Sequence, residues 1–212
     1  MSSLIAWILR AIPFGTIIMY GALGETLTEK SGNLNLGIPG IMYVGGICGV
    51  IGAFFYEQAV PADQMSGFLA IMIPMLCSLL GSLLMGLLYC FLTVTLRANQ
   101  NVTGLALTIF GTGVGQYIGE FMRVREGTYV AVSNTLKGAF NGSPFPAFLQ
   151  ELPVVGRLLF SHSIFTYLGI ALAVAMGLYL HRSRSGLYLR AVGESPATAD
   201  AAGISVTRCK YL

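Results

Sequence analysis

His181-Arg-Ser-Arg184, followed after Ser185 by Gly186-Leu-Tyr-Leu-Arg-Ala-Val-Gly-Glu-Ser-Pro-Ala-Thr-Ala-Asp-Ala-Ala-Gly-Ile-Ser-Val-Thr-Arg208, interrupts the apolar run Phe165 to Leu180. A membrane span gives way here to a short helix whose two ends are both specified. Ser195 offers a hydroxyl to a free amide of the first turn, and Pro196 has its φ preset for the first helical position. Gly203 can take the left-handed conformation that closes the last turn. With alanine at 197, 199, 201 and 202, the stretch between favours helix. About two turns are too few to be stable alone, so the piece needs a surface to lie on.

The rest of the chain reads as membrane-embedded. Of its 212 residues 55% are hydrophobic and only 10% charged, with a mean hydropathy of +0.73, whereas soluble domains carry about 25% charge. The net charge of +3 is small and scattered, with no basic run interleaved with aromatics, which argues against a nucleic-acid partner and leaves membrane lipid as the surrounding medium. Cysteines 48, 77, 90 and 209 form no C-x-x-C pair, and the first three sit inside apolar runs, so they read as small packing residues. Met1 to Ile12 lacks the basic start and the A-x-A site of a cleavable leader.

Five apolar segments approach the roughly 20 residues that cross a bilayer as a helix. Because an arginine at mid-membrane costs about 3 kcal/mol, Arg10 divides the first segment: 2–11 reads as an interfacial helix and 13–26 as a short span. The others are 36–55, 71–96, 102–121 and 164–180. The expectation is an all-α, polytopic membrane protein in one domain covering 1–212. Its transmembrane region is 11–184, with an outer segment at 122–162, and 185–212 forms a cytoplasmic region around the capped helix. With that helix inside, Lys30, Arg97, Arg182, Arg184, Arg190, Arg208 and Lys210 are inside, and Arg10, Arg123, Arg125, Lys137 and Arg157 outside. That is a weak excess of the sign that keeps loops cytoplasmic.

The capped segment resembles the coupling-helix region of ABC importer permeases of the ribose, nucleoside and branched-chain amino acid superfamily. There Gly-Leu-x-x-Arg-Ala-Val-Gly-Glu-x-Pro-x-Ala-Ala-x-x-x-Gly-Ile recurs. The resemblance assigns Arg190, Gly193, Glu194, Pro196, Ala199, Ala202 and Gly203 to coupling with a separate ATPase. A second stretch, Gly24-Glu-Thr-Leu-Thr-Glu-Lys-Ser-Gly-Asn-Leu-Asn-Leu-Gly-Ile-Pro-Gly-Ile-Met42, is similar to the family's signature between its first two spans. Glu25, Glu29, Gly32, Asn35, Gly37, Gly40 and Met42 match it, while Pro39 stands where the family commonly has glutamate. The likeness is closest to the smaller of two paralogous permeases in nucleoside-type importers, with sugar-type members near. It implies a multi-pass protein of a bacterial plasma (inner) membrane, working with an ATPase, a second permease and an extracytoplasmic substrate-binding lipoprotein that faces the outer segment. Family members continue with several more spans beyond the coupling helix, so the chain reads as incomplete at its C-terminus.

From the residues alone, Glu25 and Glu29 share one helix face, so water or a cation such as Lys30 is expected to reach them. The glycine-rich loop reads either as a connecting turn or as an element lining a wet path. In the fourth span Gly111, Gly115 and Gly119 recur every four residues, a spacing that lets two helices approach closely. The alternative is a polar path formed by Asn99, Asn101, Thr108, Thr112 and Gln116, with Gln100 and Thr103 beside them, since amides and hydroxyls suit a neutral hydroxyl-rich solute. Asn101 or Thr103 equally reads as a helix cap. His162 and His181 are isolated and no G-x-x-x-x-G-K-[ST] loop is present. The expectation is therefore a permease rather than an enzyme, with no cofactor or metal. The alternative is a secondary transporter or channel for a small polar solute, which usually embeds an ionisable residue mid-span.

Overall fold

The computed structural model describes residues 2–61, 64–127, 131–150 and 155–211; Pro153 of the outer segment lies outside them. Every regular element among the described residues is helical: α1 Ser2–Lys30, α2 Ile38–Ala59, α3 Gly67–Cys90 continued by a π-turn Phe91–Thr95, α4 Gln100–Glu126, α5 Asn134–Asn141, α6 Ala147–Gln150, α7 Val155–Phe160, α8 Ile164–Arg182, α9 Arg184–Glu194, α10 Pro196–Ala201 and α11 Val206–Tyr211. Four of these, α1, α2, α3 with its π-turn, and α8, are long and apolar enough to cross a membrane. At 27 residues α4 is also long enough, but its glycines, threonines and Gln116 dilute its hydropathy.

The first segment departs from the sequence expectation. Instead of an interfacial helix followed by a short span, α1 runs unbroken through Pro13. Proline removes one helical hydrogen bond and crowds the carbonyl four residues back. Pro13 lies on an exposed face of the helix, so no neighbouring helix is disturbed there. At 29 residues the helix is about 43 Å long against a hydrocarbon core of about 30 Å. A helix of this length leaves room for Arg10, near its N-terminal end, to lie outside the core, where a long cationic side chain reaches water.

Small residues set the helix order. A Cβ built on Gly49 would lie 3.3 Å from the Pro74 carbonyl, one on Gly52 2.7 Å from Cys77 Sγ, and one on Gly81 2.7 Å from Cys48 Sγ, so α2 and α3 lie antiparallel with the cysteines as packers. Against the other side of α2, Gly104 meets Leu36, Gly111 meets Gly40 and Gly115 meets Tyr43, so α4 runs parallel to α2. Val44, Met85, Tyr89 and Leu107 form the core where the three meet. On the far side α1 and α8 run parallel, joined by Thr16 Oγ1 to Thr166 Oγ1 at 3.3 Å and by the Tyr20 hydroxyl donating to the Phe165 carbonyl at 2.7 Å.

The expected outer segment begins as helix. α4 continues past Phe121 to Glu126, carrying Arg123 and Arg125 in its last turn, and stops at Gly127 with φ +70°. An Arg123–Glu120 ion pair one turn apart lets that turn stay helical in water. Beyond it, Leu136 of α5 is 1% exposed in a second core with Ala53, Tyr56 and Ala70. The Ser133 amide donates to Glu57 Oε1 at 2.9 Å. These contacts lay α5 across the ends of α2 and α3.

Candidate functional site

The chemistry-bearing residues gather at the opposite end of the bundle, where α1, α3, α8 and the start of α4 meet α9, α10 and α11. α9 begins at Ser183, whose hydroxyl accepts the Gly186 amide at 2.9 Å, and buries Leu189 and Val192. It folds back so closely that Gly186 touches the Tyr179 carbonyl and Leu180 Cα. α10 follows at once. Ser195 Oγ accepts the Thr198 amide at 3.4 Å, with Pro196 at the first helical position. Gly203, at φ +80°, donates to the Asp200 carbonyl at 2.9 Å, while the Ile204 amide reaches the Ala199 carbonyl at 3.0 Å. That pair of bonds is a Schellman closure, so both expected caps are present.

The coupling residues expected from the sequence divide into two sets. Arg190, Glu194, Pro196, Ala202 and Gly203 are exposed, together with Ala197, Asp200 and Ala201. Ala199, 4% exposed, faces inward, and Gly193 is pressed against the Lys30 carbonyl and Gly32. α10 therefore spends one side chain on its own fold and leaves a small-residue surface outward.

The loop between α1 and α2 is a tightly satisfied knot. α1 ends in a second Schellman closure at Gly32, with φ +80°: Gly32 donates to the Glu29 carbonyl at 2.9 Å and Asn33 to that of Thr28 at 3.0 Å. Glu25 Oε1 accepts the Asn35 amide at 3.0 Å and Oε2 the Thr28 hydroxyl at 3.2 Å. The carboxylate expected to need water or Lys30 is thus met by the loop itself, while Glu29 stays exposed. Asn35 Oδ1 accepts the Gly37 amide at 2.9 Å. The Leu34 carbonyl takes the hydroxyl of Tyr89, 1% exposed, at 2.7 Å. Gly37 and Gly40 then let α2 start directly against α4, where a Cβ on Gly40 would lie 2.5 Å from the Leu107 carbonyl.

Of the polar path expected along α4, most members are occupied. Asn99 is the N-cap, its Oδ1 accepting the amides of Asn101 and Val102 at 3.1 Å each; neither Asn101 nor Thr103 is. Thr108 donates to the Leu36 carbonyl at 2.8 Å and belongs to the α2 seam. The Thr112 hydroxyl turns back onto its own helix, at 2.9 Å from the Thr108 and Ile109 carbonyls. Asn101 and Gln116 are exposed. Gly111 and Gly115 are buried in the close helix contact, and Gly119 lies at its margin, where a Cβ would stand 4.0 Å from Ile47 Cδ1.

Sequence reading missed the hub at Asn33. Its Oδ1 accepts Gln100 Nε2 at 3.1 Å and Lys210 Nζ at 2.8 Å, and Gln100 Oε1 accepts the Leu34 amide at 3.0 Å. Burial lowers the pKa of Lys210 below the ordinary lysine value. The only signal in the sequence was polar residues bordering apolar runs. The partners lie 67 and 177 residues apart, beyond any periodicity. A cleft of about 1250 Å³ opens beside this hub, walled by Leu27, Leu172, Met176, Leu189 and Tyr188. His162 is buried at the other end, its Nε2 2.9 Å from the Leu158 carbonyl. Among the described residues, no three His, Cys, Asp or Glu converge on a metal position.

Comparison with known proteins gives the chain a family. The family described as the permease component of branched-chain amino acid transport systems matches residues 7–212. A putative glucose ABC transporter permease of Haloferax volcanii is 30% identical over 93% of this chain and 54% of its own length. A guanosine ABC transporter permease of Bacillus subtilis is 29% identical over 90% of this chain and 56% of its own. A nucleoside ABC transporter permease of Lactococcus lactis is 29% identical over 91% and 57%. The chain thus spans a little over half the length of the curated relatives it matches. No solved structure matches. Because the family match takes in the spans, the α1–α2 knot and the capped helix together, the chain belongs to this family of transport-system permease components.

Proposed function

We infer that the chain is a transmembrane subunit of an ATP-driven importer in a bacterial plasma membrane. It contributes part of the path for a nucleoside or simple sugar and lies with α9–α11 on the cytoplasmic side. The observation that carries this reading is α10 itself: a helix of 6 residues, capped at both ends, whose exposed residues Pro196, Ala197, Thr198, Asp200 and Ala201 are all short. A helix this short gains little from its own hydrogen bonds, and its exposed small side chains allow a partner's surface to approach closely. A separate ATPase seated on Ala197, Ala201 and Ala202 supplies the energy, and the chain itself carries out no chemistry. The relatives' nucleoside and sugar transporter names support the solute class, as do the uncharged polar groups of α4. Gln116, exposed and unclaimed by the seam, is the first residue to face that solute. A second permease completes the path, and the outer segment with α5 receives a substrate-binding protein.

The decisive experiment places Ala201→Glu in the full-length chain, expressed with its ATPase. A buried unpaired charge costs about 3–5 kcal/mol, so the ATPase should no longer co-purify and uptake of labelled nucleoside should stop, while membrane insertion and yield stay unchanged. Undiminished ATPase recovery with undiminished uptake would sink the reading in favour of a channel or secondary transporter.

A further inference from the structure

The two strands of chain that flank α10 return to the same place. Just before the helix, Gly193 rests on the Lys30 carbonyl and Gly32, so closely that a Cβ on Gly32 would lie 3.2 Å from Gly193 Cα and 3.2 Å from its carbonyl oxygen. After it, on α11, Lys210 Nζ donates to Asn33 Oδ1 at 2.8 Å, the Cys90 thiol lies 3.9 Å from the Lys210 carbonyl, and Tyr211 OH meets Thr95 Oγ1 at 2.5 Å. Gly32 and Asn33 are consecutive, so the capped helix is a loop closed at both feet on one dipeptide. From that dipeptide connections run on into the spans. Asn33 Oδ1 holds Gln100 in the first turn of α4. The next three residues are tied to Gln100 and Tyr89 through Leu34, to Glu25 of α1 through Asn35, and to Thr108 through Leu36. Asn33 is 4% exposed, so these bonds are made in a site where a lost partner is not replaced by water.

Resting on the docking role of α10, we propose that residues 32–35 receive the movement of the docking helix, and that Asn33 is the positioning residue that passes it to α4 and α2. Gly193 against Gly32 acts as a backbone-to-backbone foot with no flexible side chain between. Lys210 on Asn33 is the second foot, and the shared acceptor Oδ1 links that foot to Gln100. A docking helix that shifts or tilts when its ATPase closes therefore moves both feet, and with them the start of the helix that carries Gln116.

The test follows amide hydrogen exchange in the full-length chain assembled with its ATPase, with and without ATP plus vanadate to lock the ATPase closed. Exchange is expected to change by at least about fivefold, the lower range of site-to-site coupling, in α10, at 33–36 and at 100–104. In Asn33→Leu the α10 change should persist while that at 100–104 is lost. Asn33→Asp keeps the acceptor oxygens and should restore it. Lys210→Met, at the margin of the hub, should halve the response or more and serves as the readout if Asn33→Leu does not assemble. A response at α10 with none at 33–36, or one at 100–104 that survives both Asn33→Leu and Lys210→Met, overturns the proposal while leaving docking intact. No response at α10 itself overturns the docking reading, and this proposal with it.

Discussion

The seam between α2 and α4 and the segment around α10 both depend on glycine, but for opposite reasons. In the seam Gly40, Gly104 and Gly111 have ordinary helical or near-helical backbones, and what matters is the missing Cβ: a carbon on Gly111 would lie 2.5 Å from the Gly40 carbonyl. Around α10 what matters at Gly203 is the φ of +80°, and a Cβ there would meet nothing within 4 Å. One region uses glycine to remove space in a medium where apolar surface gains little by association and close packing has to hold helices together. At Gly203 the other uses it to stop a helix and leave its surface open. Packing and availability are thus separated along a single chain.

The sharpest way to break this contrast is Gly111→Val. Backbone stands against the new side chain, so the helices must part, and stability in detergent should fall by about 3 kcal/mol or more, measured as thermal unfolding of the purified chain. Gly113→Val on the same helix, where a Cβ meets nothing within 4 Å, should stay within about 1 kcal/mol, the intrinsic preference alone. Equal losses from the two would remove the seam. Gly203→Ala tests the other half. Holding alanine in the left-handed conformation costs about 1–2 kcal/mol, so the Gly203 and Ile204 amides should exchange roughly tenfold faster while global unfolding is unmoved. A drop in global stability matching that of Gly111→Val would mean that α10 belongs to the core. The smallest effect belongs to Ser195→Ala, which removes an N-cap worth about 1 kcal/mol. The Thr198 amide should exchange about fivefold faster, with ATPase recovery only slightly reduced.

Legibility followed the range of the interaction. The ends of α10 were readable because each cap is decided within five residues: a hydroxyl three positions from its amide, a glycine one position past the last turn. The spans were readable because hydropathy is summed over a window, although the start of α1 was misjudged. There a local rule about arginine and proline gave way to a helix long enough to overhang the membrane core. The partners of the path residues were not readable. Asn99, Thr108 and Thr112 carry groups suited to a polar channel, but a hydroxyl or amide turns to whichever acceptor or donor lies nearest, and here those are the helix's own backbone and the Leu36 carbonyl.

By itself the sequence determined the helical class, the family, the glycine spacing of α4 and both caps of α10, because each rests on neighbours in the chain or on composition. The tertiary structure alone decided which helix Gly111 faces, that Glu25 closes its own loop through Asn35, and that Gly193 and Lys210 meet at Gly32 and Asn33. Those pairings join residues from 10 to 177 positions apart. Their energy comes from close backbone packing at the glycines and, at Glu25 and Lys210, from hydrogen bonds sheltered from competing water, which no local pattern encodes.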